Sequence, residues 1–239
     1  MAPRKKTYRK RRPTQYRRRK RYYRRKRGAA ITRVPIATGV PNKLRTKLKY
    51  TKSFDLIATS GVPTYQVFRG NSLYDPDYTD ISGVNNVSVQ GLAEWATFYN
   101  YYLVNGCKIK VTFVSDSTTY PNYSNMCFVY ASPHIPTPAS YGVMDLINVP
   151  YCKYRIVASA AGNRGVQVIN MYRNTVKMLG YSYKDLTDLK SPMNDNPANT
   201  WYYTMGVQPM DLLSTVQVQA LVEITYYVDL FDRTILTSP

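Results

Sequence analysis

The sequence predicts an all-β fold, a sandwich or jelly roll of about eight strands, behind a disordered basic N-terminal segment. Two observations carry the fold class and a third separates the segment. Apolar and polar residues alternate with period two along several stretches, most clearly over 216–228. Helical periodicity is scarce, and the loops between strand candidates are long and unequal. All the excess charge lies at one end of the chain.

The basic segment comes first. The first 27 residues hold sixteen Lys or Arg and no Asp or Glu. The blocks are Arg4-Lys5-Lys6, Arg9-Lys10-Arg11-Arg12, Arg17-Arg18-Arg19-Lys20-Arg21 and Arg24-Arg25-Lys26-Arg27. Arg33, Lys43, Arg45, Lys47, Lys49 and Lys52 follow before the first acid, Asp55. Residues 1–52 therefore carry +22 and residues 53–239 carry −3, within a net charge of +19. From Met1 to Gly28 there is no Val, Ile, Leu or Phe, so burial cannot offset the entropy of ordering and like charges repel. The expected division is a disordered arm over 1–45 and one folded domain over 46–239.

The folded part opens on alternation. Leu48, Tyr50, Phe54 and Leu56 share one face, and Lys47, Lys49, Thr51, Ser53 and Asp55 the other, which predicts a half-buried first strand over 47–58. Residues 64–69 form a shorter strand candidate, followed by the turn-rich run from Gly70 to Asp77. Leu92, Trp95, Phe98, Tyr99 and Tyr102 recur at helical spacing, so a short core-facing helix is expected over 91–101. Residues 103–114 set Ile109, Val111 and Phe113 against Lys108, Lys110 and Thr112. Further strands are expected at 126–131, 152–158, 166–173 and 201–207, with one helical turn at 143–148 and a surface loop over 181–199. The last strand places Val216, Val218, Ala220, Val222, Ile224, Tyr226 and Val228 on one face, the mark of a central antiparallel strand. An open barrel with shorter loops is the competing all-β arrangement.

Enzyme motifs are missing. The chain has a single histidine, His134, set among prolines, and Cys107, Cys127 and Cys152 lack ligand spacing, so neither a zinc site nor a catalytic cysteine–histidine pair is indicated. No phosphate-binding glycine loop, nucleophile elbow or H-E-x-x-H is present. Asp75, Asp77 and Asp80 could hold a divalent cation, but a solvated loop is the simpler reading, as it is for Asp185 and Asp188. No cofactor, metal or catalytic residue is expected. The three cysteines suit free thiols in a reducing compartment. The charged start is not followed by a secretory core, so the N-x-S/T matches at Asn86 and Asn122 are expected to be chance. No apolar stretch approaches the ~20 residues that span a bilayer, so no membrane insertion is expected.

The arm itself points to a polyanion. Tyr8, Tyr16, Tyr22 and Tyr23 interleave with the basic blocks. A cationic track with aromatic rings is how proteins hold unpaired nucleic acid without reading its sequence. Arg adds stacking and bidentate contacts to phosphate. The candidate nucleic-acid-binding residues are therefore all of these bases and tyrosines, from Arg4 through Arg33 to Lys43, Arg45, Lys47 and Lys49. Such blocks also match what nuclear import receptors read.

Phe68-Arg69-Gly70-Asn71-Ser72-Leu73-Tyr74-Asp75-Pro76-Asp77, with Trp95-x-x-Phe98-Tyr99-x-x-Tyr102-x-Val104-x-Gly106-x-Lys108-Ile109, resembles capsid proteins of circular Rep-encoding single-stranded DNA viruses, the circovirus-like group. The match covers the whole chain in layout and about 65–115 in motif. The resemblance implies a single eight-stranded jelly roll of two four-stranded sheets, first and last strands adjacent, in a shell of about sixty copies. It also implies a lumenal arm holding a single-stranded DNA genome, and loops 71–90, 115–124, 132–150 and 174–200 at the outer surface and subunit contacts. Location in the virion, in the host nucleus during assembly, and an unidentified cell-surface attachment factor follow from the same resemblance. Capsids of small RNA viruses and ribosomal or chromatin-like proteins are the alternatives. The latter spread their bases over the folded surface, whereas here residues 53–239 are at −3.

Overall fold

The computed structural model describes residues 40–59, 62–79, 87–115, 124–136, 143–158, 165–180, 189–210 and 215–234. The expected arm up to residue 39 lies outside them, with its bases and tyrosines through Arg33, as do Asp80, Asp185, Asp188, Asn86 and Asn122. The strands are β1 (Lys43–Ala58), β2 (Thr64–Arg69), β3 (Tyr99–Ser115), β4 (Asn125–Ser132), β5 (Lys153–Val157), β6 (Val166–Asn174), β7 (Ser191–Pro192), β8 (Tyr202–Pro209) and β9 (Val216–Arg233). Three short helices join them: α1 (Leu92–Ala96), α2 (Val143–Asn148) and α3 (Thr175–Leu179).

Alternation sends one face of each strand inward, and two such faces close on each other. The sheets run β1-β9-β3-β6 and β2-β8-β4-β5, all pairs antiparallel, with the two-residue β7 added to β3. Setting β7 aside, the first strand pairs with the eighth, the second with the seventh, the third with the sixth and the fourth with the fifth. One long hairpin rolled around a sandwich gives this order. The fold is a single antiparallel jelly roll.

The seven inward residues of β9 are all buried, between Leu48, Tyr50 and Leu56 of β1 and Ile109, Val111 and Phe113 of β3. The second sheet answers with Phe68, Cys127, Val129, Tyr203, Met205 and Val207 in the same core. Each such aliphatic or aromatic side chain contributes about 1.5–3 kcal/mol by leaving water. Two tyrosines also tie the sheets together. Tyr226 donates its hydroxyl to the Arg69 carbonyl across the sandwich at 2.8 Å, and Tyr203 donates back to the Cys107 carbonyl at 2.9 Å. Burial pushes both hydroxyls above their ordinary pKa, so they stay protonated donors.

Several boundaries differ from expectation. The first strand starts at Lys43, inside the segment expected to be disordered up to residue 45. The expected helix over 91–101 stops at Ala96, and Tyr99 already lies in β3. Its helical spacing spans two elements: Leu92 and Trp95 lie on α1, while Tyr99 and Tyr102 are inward residues of an irregular strand start. The aromatic run from Phe98 to Tyr102 favours extended backbone. Helix α3 was not expected. Asn174 accepts the Lys177 amide at its N-terminus, and Gly180 ends it with positive φ. The surface loop expected over 181–199 is partly interior. Leu189 packs with Leu103 and Val176, Met193 enters the main core, and β7 pairs with β3.

The motif from Phe68 to Asp77 ties this loop down. Asn71 donates to the Asn199 carbonyl and accepts from the Trp201 amide, and the Ser72 hydroxyl donates to Asn196. Gly70 lies flat against the Trp201 indole, so a Cβ there would sit 2.5 Å from the ring. Overpacking of this kind costs about 1–3 kcal/mol. Gly70→Ala is therefore expected to lower the thermal unfolding midpoint by several degrees; an unchanged midpoint would contradict this packing.

Candidate nucleic-acid interface

Lys43, Arg45, Lys47 and Lys49 stand two residues apart on β1, so the pleat points all four to one face. Leu48 and Tyr50 face the core, which makes that face the outside of the first sheet. Strand register then extends the charge across the sheet. Lys49 lies opposite Thr225, Thr225 opposite Lys108, and Lys108 opposite Tyr172. The next row runs Thr51, Glu223, Lys110 and Asn170. Lys43, Arg45, Lys47, Lys49, Lys108 and Lys110 thus form one band, opposed there by Asp229 and Glu223. Beyond the β6 edge, Lys153 Nζ donates to the Asn170 carbonyl at 2.8 Å and carries the band on toward Arg155.

The six bases are not equally available. Arg45 forks onto Asp229, with Nε 2.6 Å from Oδ1 and Nη2 2.9 Å from Oδ2, and Lys43 adds a contact at 3.1 Å. Burial opposes the Asp229 charge. The hydrogen bonds from Arg45, Lys43 and Asn105 and the charge of Lys43 together outweigh it and hold the carboxyl below its usual range. Lys110 pairs with Glu223, whose carboxyl that bond lowers in turn. Lys47 lies 5.3 Å from the Tyr227 ring centroid, a cation–π contact. Among the described residues, neither Lys49 nor Lys108 has a carboxylate within ion-pair reach.

A groove opens in this band where β3 changes step. The register of β3 against β9 shifts between Val104 and Gly106, a β-bulge that leaves Asn105 between the paired positions. Arg45, Lys47, Asn105, Tyr172, Asn174 and Tyr227 line a cavity of about 440 Å³ there. Tyr172 and Tyr227 meet edge to face, 5.8 Å between centroids. Gly106 makes room for them, since a Cβ at 106 would come within 2.5 Å of the Tyr172 hydroxyl oxygen.

The rest of the outer face is different in kind. At one end α3 and Leu189 cover Leu103 and Phe231. At the other, Ile57, Val114, Val166, Val168 and Leu221 are exposed. The outer face of the second sheet is packed: Met126, Phe128 and Tyr130 lie under Ile147 and Val149 from the α2 region.

The other described candidates from the sequence lie away from this band. His134 is exposed in its loop. Asp75 pairs with Arg69, and Asp77 with Lys52 at 3.1 Å, so each described acid of that loop faces a base rather than an open cation site. Cys107 and Cys127 are buried free thiols, with pKa raised by that burial, and Cys152 is pushed up to about 11. Among the described residues no group of three His, Cys, Asp or Glu could hold a metal ion. Lys108, Lys110, Tyr172, Tyr227, Asn105 and Asn174 were not candidates from the sequence. The alternation of Lys108 and Lys110 was legible, but their approach to β1 runs through β9, more than a hundred residues away.

No described protein family and no curated protein matches the chain. By shape it is similar to solved virus structures. Turnip yellow mosaic virus at 100 K is 7% identical, with a TM-score of 0.43 over 83% of this chain and 99% of that one. The decameric BFDV capsid protein is 10% identical, at 0.41 over 79% and 99%. The semi-empty VLP of giant freshwater prawn Macrobrachium rosenbergii nodavirus is 8% identical, at 0.43 over 82% and 97%. The fold assignment rests on this chain's own strand order, not on these distant likenesses.

The Asp229 clamp has a pH signature. Its folded-state pKa lies below the unfolded value of about 3.9, so its contribution is complete above that value and lost as pH falls through the folded one. Asp229→Asn is expected to be less stable at neutral pH and to lose less stability than the parent between about pH 5 and pH 2. Denaturant unfolding across that range checks it; parallel curves for the two proteins would contradict the clamp.

Proposed function

We propose that the chain is the coat subunit of a small circular single-stranded DNA virus, with a structural rather than a catalytic part. In this reading the jelly roll builds a closed shell, and the N-terminal arm holds the genome inside it. The observation that carries the proposal is the continuity of charge: residues 1–42, at +17, run directly into β1, whose outward bases extend that charge onto a domain whose residues 53–239 sum to −3. A sheet with a basic outer face at the root of a polycation favours a lumenal orientation for that face. Arms from about sixty copies would offset on the order of a thousand phosphates, releasing their counterions.

The proposal includes the sites given by the arm: Arg and Lys on phosphate oxygens, and Tyr8, Tyr16, Tyr22 and Tyr23 on unpaired bases. Binding is then independent of sequence, since a cationic arm positions a strand without reading base edges. Assembly is coupled to packaging, because bare arms repel until a polyanion screens them. The basic blocks also serve entry into the host nucleus through import receptors before assembly.

The test is a truncation placed by the structure. Pro41 accepts the Tyr99 hydroxyl and Val40 accepts Arg233, so deleting 1–38 spares both anchors. The shortened chain is expected to keep its β circular dichroism and cooperative unfolding, while its affinity for single-stranded DNA at moderate salt falls by at least about a hundredfold. The full chain should show log K falling steeply with log salt, and the shortened chain a much shallower slope. Tight, salt-sensitive binding by the shortened chain would refute the arm's role.

A further inference from the structure

We propose that the groove at the β3 bulge is a nucleobase subsite, which receives one unpaired base of a strand whose phosphates run along the basic band. The inference rests on the single-strand-binding reading above and adds to it a defined place on the folded domain.

Four features of the groove fit such a ligand. The first is an open stacking surface, since Tyr172 is 51% exposed and its ring is stood against Tyr227 rather than packed into the core. Base–aromatic stacking needs one free ring face and tolerates any base. Next, Asn105 and Asn174 flank the rings: Asn105 donates to Asp229 and Asn174 accepts the Lys177 amide, which leaves the Asn105 carbonyl to accept and the Asn174 amide nitrogen to donate to the edge of an unpaired base. The third is the placement of positive charge. Lys49 and Lys108 lie in the row that ends at Tyr172, and neither has an ion-pair partner among the described residues. Arg45 and Lys47 line the groove itself. Lastly, the cavity is built, because the bulge at Asn105 and the bare Cα of Gly106 are what let the Tyr172 ring lie across β3. A duplex keeps its bases stacked away from such a ring, so the arrangement selects an unpaired strand.

The interleaving of Tyr with bases in the arm would then recur on the domain in folded form. The arm supplies affinity by charge, and the groove supplies a fixed point beside the root of each arm.

The test uses the full chain with two probes, an oligothymidylate and an abasic strand of the same length, at raised salt where arm contacts are weakened. Tyr172→Ala is expected to weaken oligothymidylate binding about five- to thirty-fold, the worth of one stacked base, and to leave abasic-strand binding unchanged. Tyr172→Trp, which keeps a stacking face, should restore the affinity. Equal losses on both probes, or no loss on either, would overturn the subsite while leaving the arm's role standing. Failure of the unaltered chain to bind oligothymidylate at all would overturn the coat-subunit reading itself. Binding of a sulfated polysaccharide that falls with Tyr172→Ala, with oligothymidylate unaffected, would overturn the subsite in favour of a glycan site.

Discussion

The register of β1 against β9 is the constraint on which the rest of the molecule depends. Side chains along a strand change face at every residue, so a slip of one position exchanges the two faces entirely. Slipped by one, β1 would bury Lys47 and Lys49 and expose Leu48 and Tyr50. Burying unpaired ammonium groups costs far more than any alternative packing could offset. Arg45 on Asp229 adds a directional lock at the same seam, and the bidentate fork accepts only one alignment. From that seam follow the dry interior, the basic exterior and the position of the groove.

A second consequence is that charge and burial compete on this sheet chiefly at Asp229, where paired bases outweigh the cost. The first sheet keeps its bases outside, where the Lys43 and Lys47 ammonium groups lie over the Phe231 and Tyr227 rings. An exposed pair such as Lys110 with Glu223 adds little stability. What the acids leave over matters more: Asp229 and Glu223 occupy three of the bases, and Lys47, Lys49 and Lys108 face outward without an ion pair among the described residues, though Lys49 and Lys108 still act on the Glu223 carboxyl. The domain therefore carries a positive face, to which Lys43, Arg45, Lys47 and Lys49 of β1 bring four of the six bases, while residues 53–239 sum to −3.

Much of the fold was legible because alternation is a local signal. Val216 to Val228 announced a central strand, and Lys47 to Leu56 a half-buried one, because each residue's face depends only on its neighbours. Helix α3 was missed because five residues show too little periodicity, and its start and stop signals, Asn174 and Gly180, are common in loops. The 91–101 stretch misled for the opposite reason, since a helix running into an irregular strand mimics one continuous apolar stripe. The motif around Gly70 was recognisable as a pattern, but its purpose was not: the contact with Trp201 joins positions more than a hundred residues apart. The groove was the least legible of all. It needs a bulge in β3, a missing side chain at Gly106, and residues from β1, β6 and β9 brought together by pairing alone.

The central claim is that this jelly roll and its basic arm form a shell around an unpaired strand. Electron microscopy of the purified full chain, with and without single-stranded DNA, tests it most directly. The account predicts uniform closed particles that form or become abundant when the DNA is added, with the strand protected from nuclease. Monomers or irregular aggregates under both conditions, with the DNA fully digestible, would contradict it.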